Sequence, residues 1–121
     1  MFLKHFNPKA NIIVLSHTER QHGLKDVLNQ IEPNSFVWIP DAGSNDIEEC
    51  KYLQSIECEV LIADHHICEQ DNPYATVINC QNGDVINKQA SGTHVTWKVI
   101  EAYCRLHKSN WHSKIIDLVV L

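Results

Sequence analysis

The sequence predicts an α/β fold, a Rossmann-like parallel sheet with helices on both faces. Short apolar runs rich in β-branched and aromatic residues alternate with segments of helical periodicity. That is the order expected when parallel strands are joined by helical crossovers. Two of these runs stop abruptly on an acid. Phe36-Val37-Trp38-Ile39-Pro40 leads into Asp41, and Val60-Leu61-Ile62-Ala63 leads into Asp64-His65-His66. Strands of an open parallel sheet end this way where a site lies at their carboxyl edge. The size fits as well: 121 residues, 44% hydrophobic and 21% charged, make one globular domain with a single core.

Taken in order, the strands are expected at Ile12 to Leu15, Phe36 to Ile39, Val60 to Ala63 and Thr76 to Asn79. Between the first two, Leu24, Val27, Leu28 and Ile31 recur at helical spacing and predict a helix over Leu24 to Ile31. The next helix is expected from about Asn45, with Asn45 as its cap and Glu48 at capping-box spacing. Its residues Ile47, Cys50 and Leu53 would then face the sheet. A third helix is expected from about Ser91, with Val95, Val99, Ala102, Tyr103 and Leu106 on one face. A last helix near Ser113 is still strongly apolar at Asp117-Leu118-Val119-Val120-Leu121. No internal repeat or low-complexity segment interrupts this pattern.

Composition narrows the function. The net charge of −5 argues against nonspecific duplex binding, which needs a surplus of Lys and Arg to neutralise phosphates. It leaves room for a nuclease, because carboxylates gathered round metal ions count as negative until the ions bind. On that charge alone, any broad DNA-gripping surface would lie outside this chain. No apolar run approaches the ~20 residues of a membrane span, so no membrane partner is expected. The first residues lack the pattern of a secretory signal. Five cysteines (Cys50, Cys58, Cys68, Cys80, Cys104), odd in number and without a C-x-x-C pair, suit reduced thiols and a cytoplasmic location.

The acid and imidazoles after Ala63 carry the chemistry. Carboxylate oxygen and neutral imidazole nitrogen suit manganese, zinc or iron better than calcium. A right-handed crossover puts neighbouring strand tips on one edge of the sheet, where Asp41, His65 and His66 can converge. The turn Gly43-Ser44-Asn45 would offer free N–H groups at a helix start, a natural cradle for phosphate. Metal and phosphate cradle together suggest phosphoester hydrolysis, with two metals generating hydroxide and stabilising charge on the phosphoryl group.

These residues carry a resemblance. Asp64-His65-His66 after an apolar strand resembles the signature of the DHH phosphoesterase superfamily, and Asp41-Ala42-Gly43 resembles its second motif. Four further stretches are similar to the RecJ-like branch of single-strand-DNA-specific exonucleases, particularly its phage-type members. They are Pro40 to Asp46, Asn72 to Asn79, Asn87 to Gly92 and Gln21-His22-Gly23-Leu24, and the match is collinear over nearly the whole chain. The resemblance implies a manganese (or magnesium) two-metal centre in which Asp41 bridges the ions and His65 ligates one. It implies that His66 contacts the scissile phosphate, that Asp64 holds the histidine pair from behind, and that Ser91 and Gly92 bring a helix N-terminus to the substrate. Single-stranded nucleic acid would be the substrate of the intact protein.

The chain departs from the family in ways that shape the expectation. The first motif, a cluster of aspartates on an earlier strand, has no counterpart before Asp41, where the acids are Glu19, Asp26 and Glu32. A fourth motif would fall beyond Leu121, and so would the carboxy-terminal substrate domain. Residues 1–121 therefore read as a partial DHH domain without its first and last motifs. Weak metal binding, little or no catalysis by the chain alone, and self-association through an exposed sheet edge are expected. The alternatives are the branch that cleaves short oligoribonucleotides or cyclic dinucleotides, and a non-catalytic DHH-like binding module.

Several residues have plainer readings. His65-His66 could cap the next segment, and Asp41 could be a turn residue before Gly43. Asp46 reads as a first-turn acid complementing the helix dipole, and Asp117 as a helix residue without a ligand role. His17, Arg20 and His22 could face the phosphate path or be solvated polar loop residues. His5, His107 and His112 read as surface residues and His94 as an exposed helix position; Trp38, Trp97 and Trp111 could stack on bases, though Trp38, in a strand, reads as core. Cys58 and Cys68 match no zinc spacing.

Overall fold

The computed structural model describes residues 1–17, 23–84 and 87–117. Its centre is a parallel sheet of three strands in the order β1 (Phe36–Pro40), β2 (Glu59–Asp64), β3 (Thr76–Asn79). Helix α1 (Phe2–Phe6) precedes the sheet, α2 (Ile47–Ser55) connects β1 to β2, and α3 (Gly92–Leu106) follows β3. Short 3-10 turns lie at Leu28–Gln30 and Trp111–Ile115.

The alternation of side chains along each strand decides which helix covers which face. Val37 and Ile39 of β1, Val60 and Ile62 of β2, and Val77 of β3 pack with Cys50 and Leu53 of α2 and with Leu24. On the opposite face, Ala63 packs with Val95 of α3, and Trp38 with Ile100, Cys104, Phe2 and Trp111. Helices thus cover both faces, as the sequence predicts, α2 on one and α3 on the other; α1, beside α3, is a helix the sequence did not announce.

Both long helices end in the same way. Glu57 and Lys108 take left-handed φ of 63° and 52°. Cys58 N–H then bonds Leu53 O (2.9 Å), and Ser109 N–H bonds Cys104 O (2.8 Å). These six-to-one bonds close orphan carbonyls in a Schellman arrangement without glycine. Helix α3 also has a side-chain cap at its start, where Ser91 Oγ accepts His94 N–H at 3.3 Å.

Several expectations need correction. Ile12 to Leu15 forms no strand, and Ile13 and Val14 are 62% and 75% exposed. A β-prone run becomes a strand only where a neighbour takes its backbone bonds, and no described residue does so here. Leu24 to Ile31 is not an α-helix but a chain of three-residue turns ending in the 3-10 turn. The apolar stripe still buries Leu24 and Val27; eight residues are too few to nucleate an α-helix well. Asn45 does not cap α2, whose N-cap position is Asp46. The buried face of α3 runs through Val95, Ile100 and Cys104, leaving Ala102, Tyr103 and Leu106 exposed. His94 is half-buried rather than exposed. The helix expected from Ser113 begins as the 3-10 turn at Trp111, and residues 118–121 lie outside the described residues, as do Arg20, Gln21 and His22.

Candidate functional site

All three strands point their carboxyl ends at one edge. Pro40 pairs with Ala63 and Asp64 with Asn79, so Asp41, Asp64 and Asn79 sit nearly level across the sheet. Adjacent parallel strands lie ~4.8 Å apart, close enough for side chains at neighbouring tips to meet. Asp41 leaves β1 with φ of 68°, a left-handed value that aspartate tolerates better than most residues. Its N–H is anchored to Ala63 O at 2.7 Å. The sharp turn leaves its carboxylate exposed, with Oδ1 3.1 Å from His65 Nε2.

Asp64 faces the other way and is 1% exposed. Its Oδ1 accepts His65 N–H at 2.7 Å, His66 N–H at 3.2 Å and the His66 Nδ1 hydrogen bond at 2.7 Å. Oδ2 accepts Ser44 N–H at 3.1 Å. Burial alone would raise the pKa of this carboxyl. The hydrogen bonds from the His66 and Ser44 side chains and from the His65 and Ser44 backbone outweigh it and bring the value down to about 2. The group is a fixed anion that folds the Asp64-His65-His66 turn round itself. The two imidazoles lie 4.5 Å apart, His65 toward Asp41 and His66 toward Asp64.

A ring of neutral side chains fixes this turn from behind. Asn79, 6% exposed, donates through Nδ2 to Ser44 Oγ and His66 O, each at 2.9 Å. Gln81 donates through Nε2 to His65 O at 3.1 Å and Lys88 O at 2.8 Å. Asn45 ties down the continuation of the turn, donating to Ile67 O and accepting Glu69 N–H, both at 3.0 Å. The sequence names Ser44 and Asn79 inside longer stretches but gives no sign that they and Gln81 hold this turn, because single neutral residues carry no spacing signature. Strand register sets Asn79 opposite Asp64, and the hydrogen bonds bring in Ser44 and Gln81.

The glycines in the site serve close approach. Gly43 has φ of 97°, and a Cβ there would stand 3.3 Å from Ile39. At Gly92 a Cβ would collide with the Asp41 carboxylate, so the first turn of α3 presses directly on that side chain. Ser91, the cap, sits one residue earlier. The expected phosphate cradle at Gly43-Ser44-Asn45 needs correction, because Ser44 N–H is committed to Asp64. Asp46 is likewise engaged, its Oδ2 accepting Leu24 N–H at 2.7 Å, and burial raises its pKa.

The donor chemistry of Asp41 Oδ1 and His65 Nε2 suits a borderline divalent ion. Among the described residues no group of three His, Cys, Asp or Glu gathers round one point. The pair therefore fits as part of one coordination shell, and the described residues do not build a two-metal centre.

With this geometry the comparisons agree in kind. The family described as "DHH family, N-terminal domain" matches residues 1–121. The chain belongs to the DHH family. It is 32% identical, over 120 residues and 98% of its length, to YorK of Bacillus subtilis (strain 168), named "Putative SPbeta prophage-derived single-strand DNA-specific exonuclease". The same identity holds for the YorK protein of Bacillus phage SPbeta, which carries a corresponding name. This DHH chain spans 20% of the length of these relatives. No solved structure matches it.

Proposed function

We propose that this chain is part of a metal-dependent phosphodiesterase of the RecJ-like type that degrades single-stranded DNA. The observation that carries the reading is the 3.1 Å approach of His65 Nε2 to Asp41 Oδ1 across two adjacent strand tips. Asp64 stands behind, holding His66 and the turn. The name of the YorK relatives supports a single-stranded substrate. In this reading Asp41 and His65 hold a manganese or magnesium ion together with ligands from outside this pair. Such an ion, when bound, would acidify a water and offset phosphoryl charge. His66, its ring oriented by Asp64, contacts the phosphate, and Ser91 and Gly92 bring the start of α3 to the substrate.

The described residues offer a two-donor site, which favours a second reading for the chain taken alone, a DHH module that binds without turning over. Manganese titration followed by electron paramagnetic resonance tests the site, with a five-prime-labelled oligonucleotide reporting hydrolysis. Weak manganese binding lost in both Asp41→Ala and His65→Ala is expected, with little or no release of label. Binding that survives both substitutions would remove the site from this edge. Hydrolysis by the chain that both substitutions abolish would instead make it catalytic in its own right.

A further inference from the structure

The net charge of −5 is unevenly distributed. Residues 1–10 and 92–117 carry Lys4, Lys9, Lys98, Arg105, Lys108 and Lys114 against only Glu101 and Asp117. The remainder of the chain holds the other four lysines and arginines and the other thirteen acids. The two basic segments share one face of the sheet. Phe2 of α1, Ile100 and Cys104 of α3, and Trp111 pack together over Trp38, while α2 with its Glu48 and Glu49 covers the other face. The α1–α3 side therefore carries a local excess of positive charge that the total conceals.

Aromatic rings lie along the seam between α1 and α3. Ring centroids run His5 to Phe6 at 4.8 Å, Phe6 to Tyr103 at 4.9 Å and Tyr103 to His107 at 4.3 Å. Tyr103 is 41% exposed, and both histidines are exposed. The acid on α3, Glu101, is already engaged by Lys98 at 3.0 Å and Arg105 at 2.8 Å. Lys9, Lys108 and Lys114 make no ion pair among the described residues.

The geometry points to a second contact surface for single-stranded nucleic acid on this α1–α3 face, an inference that rests on the proposed function. Unpaired bases stack on the exposed rings of Tyr103 and His107, beside the half-buried Phe6, and phosphates meet Lys108 and Lys9. A duplex keeps its base faces covered and gains only the charge. Every base has a π-face, so such a platform is tolerant of sequence. Helix α3 also sets the distance to the candidate site, since Gly92 touches the Asp41 carboxylate and Tyr103 lies further along the same helix. At ~1.5 Å per residue the separation is about 16 Å. At ~3.4 Å per stacked nucleotide this corresponds to about five nucleotides. The expectation that any DNA-gripping surface lies outside the chain rests on net charge alone, and the charge partition removes that ground.

Fluorescence anisotropy of the purified chain with labelled oligothymidylates of three and twelve nucleotides tests the surface. A duplex and heparin serve as competitors. The chain is expected to bind the twelve-mer but not the three-mer. The double substitution Lys9→Glu with Lys108→Glu should weaken binding about tenfold and reduce the magnitude of the salt slope by about 1.4, or ~0.7 per lost phosphate contact. Both residues are exposed, so an unchanged melting temperature should accompany the loss. Tyr103→Leu should weaken binding about fivefold while keeping an apolar packing group. Lys25→Glu with Lys51→Glu, on the opposite side, should change little. Competition by heparin or duplex as effective as by the single strand would overturn stacking and with it the proposal. Binding that is indifferent to Lys9, Lys108 and Tyr103 but lost in Asp41→Ala would overturn this surface while leaving the proposed function standing. Absence of any oligonucleotide binding would overturn the surface, and manganese binding at Asp41 and His65, read in parallel, would then judge the metal site separately.

Discussion

Asp64 is the residue on which the site depends, although its carboxylate does not face the open edge. It is a buried anion with donors on both oxygens, two from the backbone of the residues that follow it. Replacing it by asparagine keeps the shape but puts an amide where only acceptors fit, leaving N–H groups of Ser44 or the histidines facing another donor. A loss of roughly 2–4 kcal/mol in chemical denaturation is expected, since breaking a buried charged network from one side is costly. The same carboxylate gives the protein an acid-sensitive stability. Its folded pKa is depressed from the ordinary carboxylate value of 3.8 to about 2. Its contribution is therefore complete above the unfolded value and fades as pH falls from about 4 toward 2. By linkage this is worth roughly 2 kcal/mol. Denaturation midpoints between pH 5 and pH 2 should fall more steeply in the native protein than in Asp64→Asn, and parallel curves would count against this account.

Helix α3 performs two separable tasks at its first turn. Ser91 caps it, and Gly92 lets it approach Asp41. Ser91→Ala should cost about 1 kcal/mol of stability with little change in manganese affinity. Gly92→Ala should do the opposite. Alanine favours the helix by up to ~1 kcal/mol, yet its methyl group enters the space of the Asp41 carboxylate and should weaken manganese binding there. Equal manganese affinity in the two variants would mean that the close approach has no part in the site. The contrast also shows what the sequence reveals at this scale. Ser91 and the apolar spacing of Val95 announce the start of α3, and apolar runs closed by Asp41 and Asp64 announce β1 and β2. Ile12 to Leu15 has the same composition as those strands but lacks a partner, and composition carries no record of partners. Leu24 to Ile31 has a helical stripe, but its N–H groups bond carbonyls three residues back instead of four, a difference that apolar spacing does not encode. The candidate site was legible where chemistry and strand end coincide in one string, as at Asp64-His65-His66. Asn79 belongs to it through strand register, and Ser44 through its hydrogen bonds to Asp64 and Asn79.

At the scale of the whole molecule, β1 forms one rim of the sheet. Among the described residues no strand pairs there, and Phe36 at its start is 58% exposed. Ile13 and Val14 add exposed apolar surface elsewhere in the same chain. A parallel sheet is normally buried on both faces and covered or closed at its rims, so a free row of N–H and C=O groups favours pairing with another copy. The net charge of −5 opposes that approach, but salt at physiological strength screens it beyond about 8 Å. Sedimentation velocity should therefore show association that grows with concentration and strengthens as salt is raised. Phe36→Lys places a charge on the edge without touching the core, because Phe36 belongs to none of the buried clusters. It should shift the population to monomer while the melting temperature stays within a degree or two, as expected for a surface change of ±0.5 kcal/mol. Association unaffected by Phe36→Lys but reduced by Ile13→Lys would move the contact from the strand edge to the 11–17 segment. A monomer at every concentration would mean that the edge is protected in solution.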